Sequence, residues 1–217
     1  MPARPGAKAL AVLAAAVTGG ALLSGCGSPT TESSSYTVDG RITSLRVKTS
    51  GGAIDVVTGS GSTVKVTETL RYSDDKPKTR HETEGGELVL TGPSDCGGGG
   101  IGGSTCEVSY RVEVPSALAA TLQSDGGDIT VDGGVAGKLT ARSDGGSVKA
   151  GFAAAPDSVD VDSSGGNVTL RVPEGSYAVD AATGGGDQKV GVKTDPSSAH
   201  KVRARSDGGR ISVIPVA

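Results

Sequence analysis

The chain has 217 residues, 36 of them glycine, with one Phe, four Tyr and no Trp. Any core must therefore be built from Val, Ile, Leu and Ala and will be thin. Its 24 acids against 21 bases give a net charge of −3, which excludes the basic footprint of a nucleic-acid binder. The shortage of aromatic rings argues against sugar recognition on aromatic platforms.

The first element is a leader. Arg4 and Lys8 are the only charges before Glu32. An Ala/Val/Leu-rich run from Ala9 to Leu23 follows, too short and too interrupted by Gly19 and Gly20 to span a bilayer comfortably. A basic start, a short apolar stretch and a small-residue exit form a secretory signal. The exit, Leu23-Ser24-Gly25-Cys26, resembles a bacterial lipobox. Residues 1–25 are thus expected to be removed, with diacylglycerol on the Cys26 thiol. Two acyl chains suffice for stable anchoring. Both leader bases would be lost while every acid stays, leaving a mature form with an excess of five acids. Residues 26–35 are Ser/Thr-rich and read as an unfolded tether. The remainder, 36–217, reads as one domain.

A repeat organises that domain. Its form is apolar-x-apolar-x-[Ser/Thr]-[Asp/Ser/Gly]-Gly-Gly-x-apolar-x-apolar. Copies run over Leu45–Val56, Ala120–Val131, Leu139–Ala150, Val159–Leu170, Val179–Val190 and Val202–Val213. Gln188 breaks the apolar rule, and a weaker copy, Thr83-Glu84-Gly85-Gly86, sits within Glu82–Leu90. Within each copy apolar and polar residues alternate, the period of a strand with one buried face. The candidate turns are Asp125-Gly126-Gly127, Asp144-Gly145-Gly146, Gly165-Gly166 and Asp207-Gly208-Gly209. Glycine tolerates positive φ there, and Asp or Ser can bond to its own turn backbone. Recurrence at roughly 20 residues signals a repeat architecture.

The predicted fold is all-β: a β-solenoid-like stack of ~20-residue strand–turn–strand units in which successive units lie on one another. An antiparallel sandwich or meander is the alternative. Between Thr63 and Pro115 the short period lapses. Val64–Tyr72 and Cys106–Val114 read as longer strands reaching beyond the stack. Cys96 and Cys106 bracket a glycine-rich loop and, in an exported protein, read as a disulfide. Closing that loop would contribute about 2–3 kcal/mol in the loop-entropy model. Nine intervening residues and no nearby His fit no common zinc spacing. Loop tips are frequent recognition sites.

The Ser-Asp-Gly-Gly-x-[Ile/Val]-x-[Val/Leu] units behind a lipobox resemble the putative adhesin family of bacterial surface proteins, a domain of unknown function built from repeated glycine-rich β units. The resemblance covers residues 40–216. It implies an all-β, solenoid-like fold at the cell surface and supplies no catalytic residues.

Catalytic signals are sparse. His81 and His200 read as exposed strand or turn residues without a partner constellation. There is no Gly-x-Ser-x-Gly elbow and no Walker loop. Ca²⁺ at Asp125, Asp128, Asp132, Asp144 and Asp207 is the sharpest ligand alternative, but the Gly-Gly-x-Gly-x-Asp pattern of calcium-binding repeats is missing, and turn-capping explains the same aspartates. The expectation is therefore no metal, no cofactor beyond the acyl lipid, and no enzyme. A lipid-anchored, outward-facing binding module with a protein or envelope partner leads. A structural envelope component without a specific ligand and an accessory hydrolase are the alternatives.

Overall fold

The structure is a computed structural model that describes residues 28–93, 105–115, 118–133 and 135–216. In chain order its strands are β1 (Thr30–Val38), β2 (Ser44–Thr49), β3 (Ile54–Thr58), β4 (Val64–Tyr72), β5 (Arg80–Glu84) and β6 (Glu87–Thr91). Then come β7 (Cys106–Val114), β8 (Leu118–Ser124), β9 (Ile129–Asp132), β10 (Val135–Ser143), β11 (Val148–Gly151) and β12 (Ser158–Ser163). The last six are β13 (Val168–Val172), β14 (Ser176–Thr183), β15 (Gln188–Val190), β16 (Lys193–Thr194), β17 (Lys201–Ser206) and β18 (Ile211–Pro215).

Two nine-stranded sheets enclose one apolar cluster. One sheet has the order β1-β4-β7-β3-β9-β11-β13-β18-β15, the other β16-β14-β17-β12-β10-β8-β2-β6-β5. The chain crosses between them at the Gly-Gly turns that follow β8, β10 and β12, so β8/β9, β10/β11 and β12/β13 are coils of a flattened solenoid. Neighbouring coils pair in parallel, which decides for the solenoid over the antiparallel sandwich.

Parallel, in-register pairing places like on like. Leu45, Ala120, Leu139, Val159, Val202 and Val179 form one column. Ile54, Ile129, Val148, Val168, Ile211 and Gln188 form another on the facing sheet. All but Val179 and Gln188 are essentially inaccessible. Burying each Val, Leu or Ile contributes about 1.5–3 kcal/mol, so the columns supply most of the cohesion that a chain this poor in aromatics can find.

Four expectations need correction. First, the coils do not stack in chain order. β17/β18, the last coil in sequence, lies between β12/β13 and β14/β15. The reason lies in the columns: Val202, Ala204, Ile211 and Val213 can be covered on both sides and are buried, whereas Gln188 suits only an end position, where it is exposed. Terminal units of a solenoid need such a polar outer face.

Second, the weaker Thr83–Gly86 copy is not a coil. β5 and β6 form an antiparallel hairpin, turned by Gly85 and Gly86 at φ of 57° and 86°. Third, the residues expected to form a tether are partly folded. β1 begins at Thr30 and pairs with β4 along its whole length. A polar strand can do this because the backbone supplies the ladder, and the Ser33 and Ser35 hydroxyls reach Thr69 and Thr67. Fourth, the Gly-Gly turns owe their glycines to crowding, not to positive φ, as the site geometry shows below.

The long runs predicted at 64–72 and 106–114 are β4 and β7. With β1 they make an antiparallel ribbon at one end of the stack. β7 also pairs in parallel with β3, and β6 with β2, so β6 and β7 form an end coil.

Candidate functional site

The repeated turns form one edge of the stack. The positive-φ glycines, Gly40, Gly85, Gly86, Gly133 and Gly137, all lie outside the Ser-Asp-Gly-Gly segments. The second glycine of each turn is required by close approach instead. A Cβ on Gly127 would run into the carbonyl of Gly52, one on Gly146 into that of Gly127, one on Gly166 into that of Gly146, and one on Gly209 into that of Gly166. The first glycine has more room: at Gly126 the nearest atom would be 3.8 Å away.

The serine before each turn links the coils. Ser143 Oγ accepts the Gly146 N–H at 2.9 Å and donates to the Gly127 carbonyl at 2.9 Å. Ser124, Ser163 and Ser206 repeat the arrangement with their own glycines and those of the preceding coil. Thr183 continues it to Gly209, and Thr49 begins it on the Val108 carbonyl. All four serines are buried. Each such bond contributes about 1 kcal/mol net, and loss of the hydroxyl would strand a backbone N–H and a carbonyl that are buried or half-buried. A second ladder runs outside it: Asp128 accepts the Ser147 N–H at 2.7 Å, Ser147 that of Asn167, and Asn167 that of Arg210.

These bonds account for the motif. Asp125, Asp144 and Asp207 project from the crest of the edge and are exposed, with Ser164 in the intervening coil. Asp128 is committed to the backbone ladder, and Asp132 is exposed on a strand end. Among the described residues no three His, Cys, Asp or Glu side chains converge as metal ligands. Gly145, Gly165 and Gly208 complete the turns. Cys26 and Cys96 lie outside the described residues, and Cys106 is the half-buried first residue of β7.

A cluster absent from the sequence reading closes the ribbon end. Glu68 sits on the inward face of β4 and is 5% exposed. Tyr36 Oη donates to its Oε1 at 2.8 Å, and Thr79 Oγ1 to its Oε2 at 2.9 Å. Tyr110 is buried beside them, and its hydroxyl has no hydrogen-bond partner among the described residues. Burial first, then the Glu68 charge, pushes the ionisation of Tyr36 and Tyr110 well above the usual tyrosine range. His81, exposed on β5, stacks on Tyr36 with ring centroids 4.6 Å apart. Both carboxylate oxygens are taken by donors and the tyrosines hold their protons, so the cluster seals an end rather than presenting a base. The available signal was Glu68 itself, a charge in phase with Val64, Val66 and Leu70. His200, also read as partnerless, packs against Tyr177 and its Nδ1 lies 2.8 Å from the Pro156 carbonyl.

At the opposite end the columns run out. β15 has three residues and β16 two, and Lys189 and Lys193 blunt these edges against further pairing. Val179, Ala181 and Val190 remain half-buried there. They line an open groove of about 780 Å³ with Gln188, Thr194 and Pro196. Two ion pairs flank it, Arg203 with Asp160 at 2.9 Å and Arg205 with Asp180. The Arg205 hydrogen bond holds the Asp180 carboxyl below the usual carboxylate range.

No curated protein matches the chain in sequence. Several solved structures are similar to it. A putative cell adhesion protein from Clostridium sporogenes aligns over 87% of this chain and all of its own, with a TM-score of 0.65 and 16% identity. A putative adhesin from Bacteroides fragilis covers 85% of this chain and 97% of its own, at 14% identity and a TM-score of 0.35. One from Parabacteroides merdae covers 89% and 98%, at 13% identity and a TM-score of 0.34. The first of these supports the solenoid fold. Residues 107–214 match the Toastrack DUF4097 model, and over that stretch the chain is similar to the Toastrack DUF4097 domain.

Proposed function

We propose that this protein is a non-enzymatic, adhesin-like binding module, exported and held on the outer face of a membrane by acylated Cys26, that receives a protein or cell-envelope partner in the groove at the β14/β15 end of its stack. The observation that carries this is the uncovered end of the apolar columns. Val179, Ala181 and Val190 continue the buried ladders yet stay half-exposed, and concave apolar surface with a few polar groups is the common form of a binding site. The Cys96–Cys106 disulfide belongs to the same reading, since an exported chain meets oxidising conditions.

A photo-crosslinking residue at Gln188 tests the groove, with the same residue at Thr130, on the outer face of β9, as the comparison. In intact cells Gln188 should yield one discrete adduct and Thr130 none. Equal adducts from both, or none from Gln188, would refute the groove as a partner site. Anchoring is tested separately: a clickable fatty acid should label the wild type, and Cys26→Ala should abolish labelling and release the chain.

A further inference from the structure

Resting on the reading of Cys26 as the acylated residue, we infer that the tip of the β1–β4–β7 ribbon is the surface laid against the lipid bilayer, with the β14/β15 groove at the diagonally opposite corner. The argument is one of reach. Only Gly27, Ser28 and Pro29 separate Cys26 from Thr30, and four Cα steps span at most about 14 Å. Thr30 cannot lengthen that connection by peeling away cheaply. β1 is paired with β4 from its first residue, and Glu32 is tied to Tyr72 and to Lys76 across the end of the ribbon.

Register places the other tip residues. Thr30 lies opposite Tyr72, and Tyr72 opposite Cys106. Two strand spacings put Cys106 about 10 Å from Thr30. Ser73 and Thr105 close the tip through two hydrogen bonds. Cys106 therefore stands on the membrane side, not on the outward side where a partner would be met.

The far corner is out of the tether's range. β15 is eight strand spacings from β1 across the sheet, about 38 Å. Lys193 pairs with Ser176 at the start of β14, on the edge opposite the Gly-Gly turns. Charge favours the same pose. At the tip Lys76 is neutralised by Glu32 and Arg71 by Glu107, so neither offers free positive charge to the bilayer. Asp125, Asp144 and Asp207 crown the turn edge, and an anionic surface repels them. The stack is thereby tilted away from the bilayer about the ribbon tip.

The absence of native Trp permits a direct test. Asp74→Trp places a reporter at the tip and Lys193→Trp one at the far corner, both exposed. The full mature protein is isolated from membranes, the mass of its amino-terminal peptide is measured, and it is placed in vesicles containing a dansyl-headgroup phospholipid. Energy transfer should quench Asp74→Trp several-fold more than Lys193→Trp, and a flexible spacer inserted after Ser28 should reduce the Asp74→Trp transfer. Acylated protein with equal or reversed quenching overturns this orientation and leaves the anchoring intact. A peptide without acyl mass on Cys26 overturns the anchoring and the orientation with it.

Discussion

The middle of the stack and its ribbon end bury polar groups in two different ways. Between β8 and β13 the buried polar side chains are Ser124, Ser143 and Ser163, and each is satisfied by backbone of its own turn and of the coil beneath. At the ribbon end the buried polar groups are Glu68 and Tyr110, with half-buried Tyr36 beside them; they are satisfied by side chains and incompletely, since Tyr110 Oη has no partner among the described residues. A repeat can rely on backbone because every coil meets an identical neighbour. The end has no next coil, so side chains must replace what the neighbour's backbone would have provided.

The sharpest way to break this comparison is at adjacent glycines. Gly127→Ala should drive its Cβ into the Gly52 carbonyl, where two stacked backbones would have to separate. We expect a loss of about 3 kcal/mol or more. Gly126→Ala meets nothing closer than 3.8 Å and has ordinary φ, and should stay within about 0.5 kcal/mol of wild type, with a small gain from the stiffer unfolded chain. Chemical denaturation of both variants measures the contrast. Similar stabilities would mean that turn conformation, not coil spacing, selects glycine.

The serine ladder comes next. Ser143→Ala strands the Gly146 N–H and the Gly127 carbonyl and should cost about 1–3 kcal/mol. Asp144→Ala, one residue along on the exposed crest, should cost about 0.5 kcal/mol or less. If the two variants melt together, the ladder is not what joins the coils.

How much of this could be read in advance depends on what each signal encodes. Alternation fixed β4 and β7 to their observed bounds, because each residue's own polarity reports which way it faces. The order of the coils was hidden. Val179 and Val202 offer nearly the same column residue, so each copy states that it can be stacked but not upon which neighbour. β1 was hidden for a related reason. Thr30 to Ser35 show almost no buried face, and an edge strand held by backbone leaves little trace in side-chain pattern. Glu68 was visible as a charge on an apolar face, and its partners were not, since Tyr36 and Thr79 come from separate segments.

The smallest expected effect concerns that end cluster and separates its two tyrosines. Tyr36→Phe removes a donor to buried Glu68 and should cost about 1–2 kcal/mol near neutral pH. Tyr110→Phe removes only a hydroxyl without a partner among the described residues, and should be neutral or slightly stabilising. Alkaline pH exposes a second difference. Both tyrosines ionise less readily when folded than in the unfolded chain, where the value is about 10. Above that pH the unfolded state sheds protons that the native state keeps, so unfolded chains bind fewer protons and stability falls as pH rises. The wild type should therefore lose stability above about pH 10, and each Phe variant should lose less over the same interval. A Tyr110→Phe variant as destabilised as Tyr36→Phe would show that Tyr110 Oη is engaged after all, and that the ribbon end is satisfied as fully as the stack.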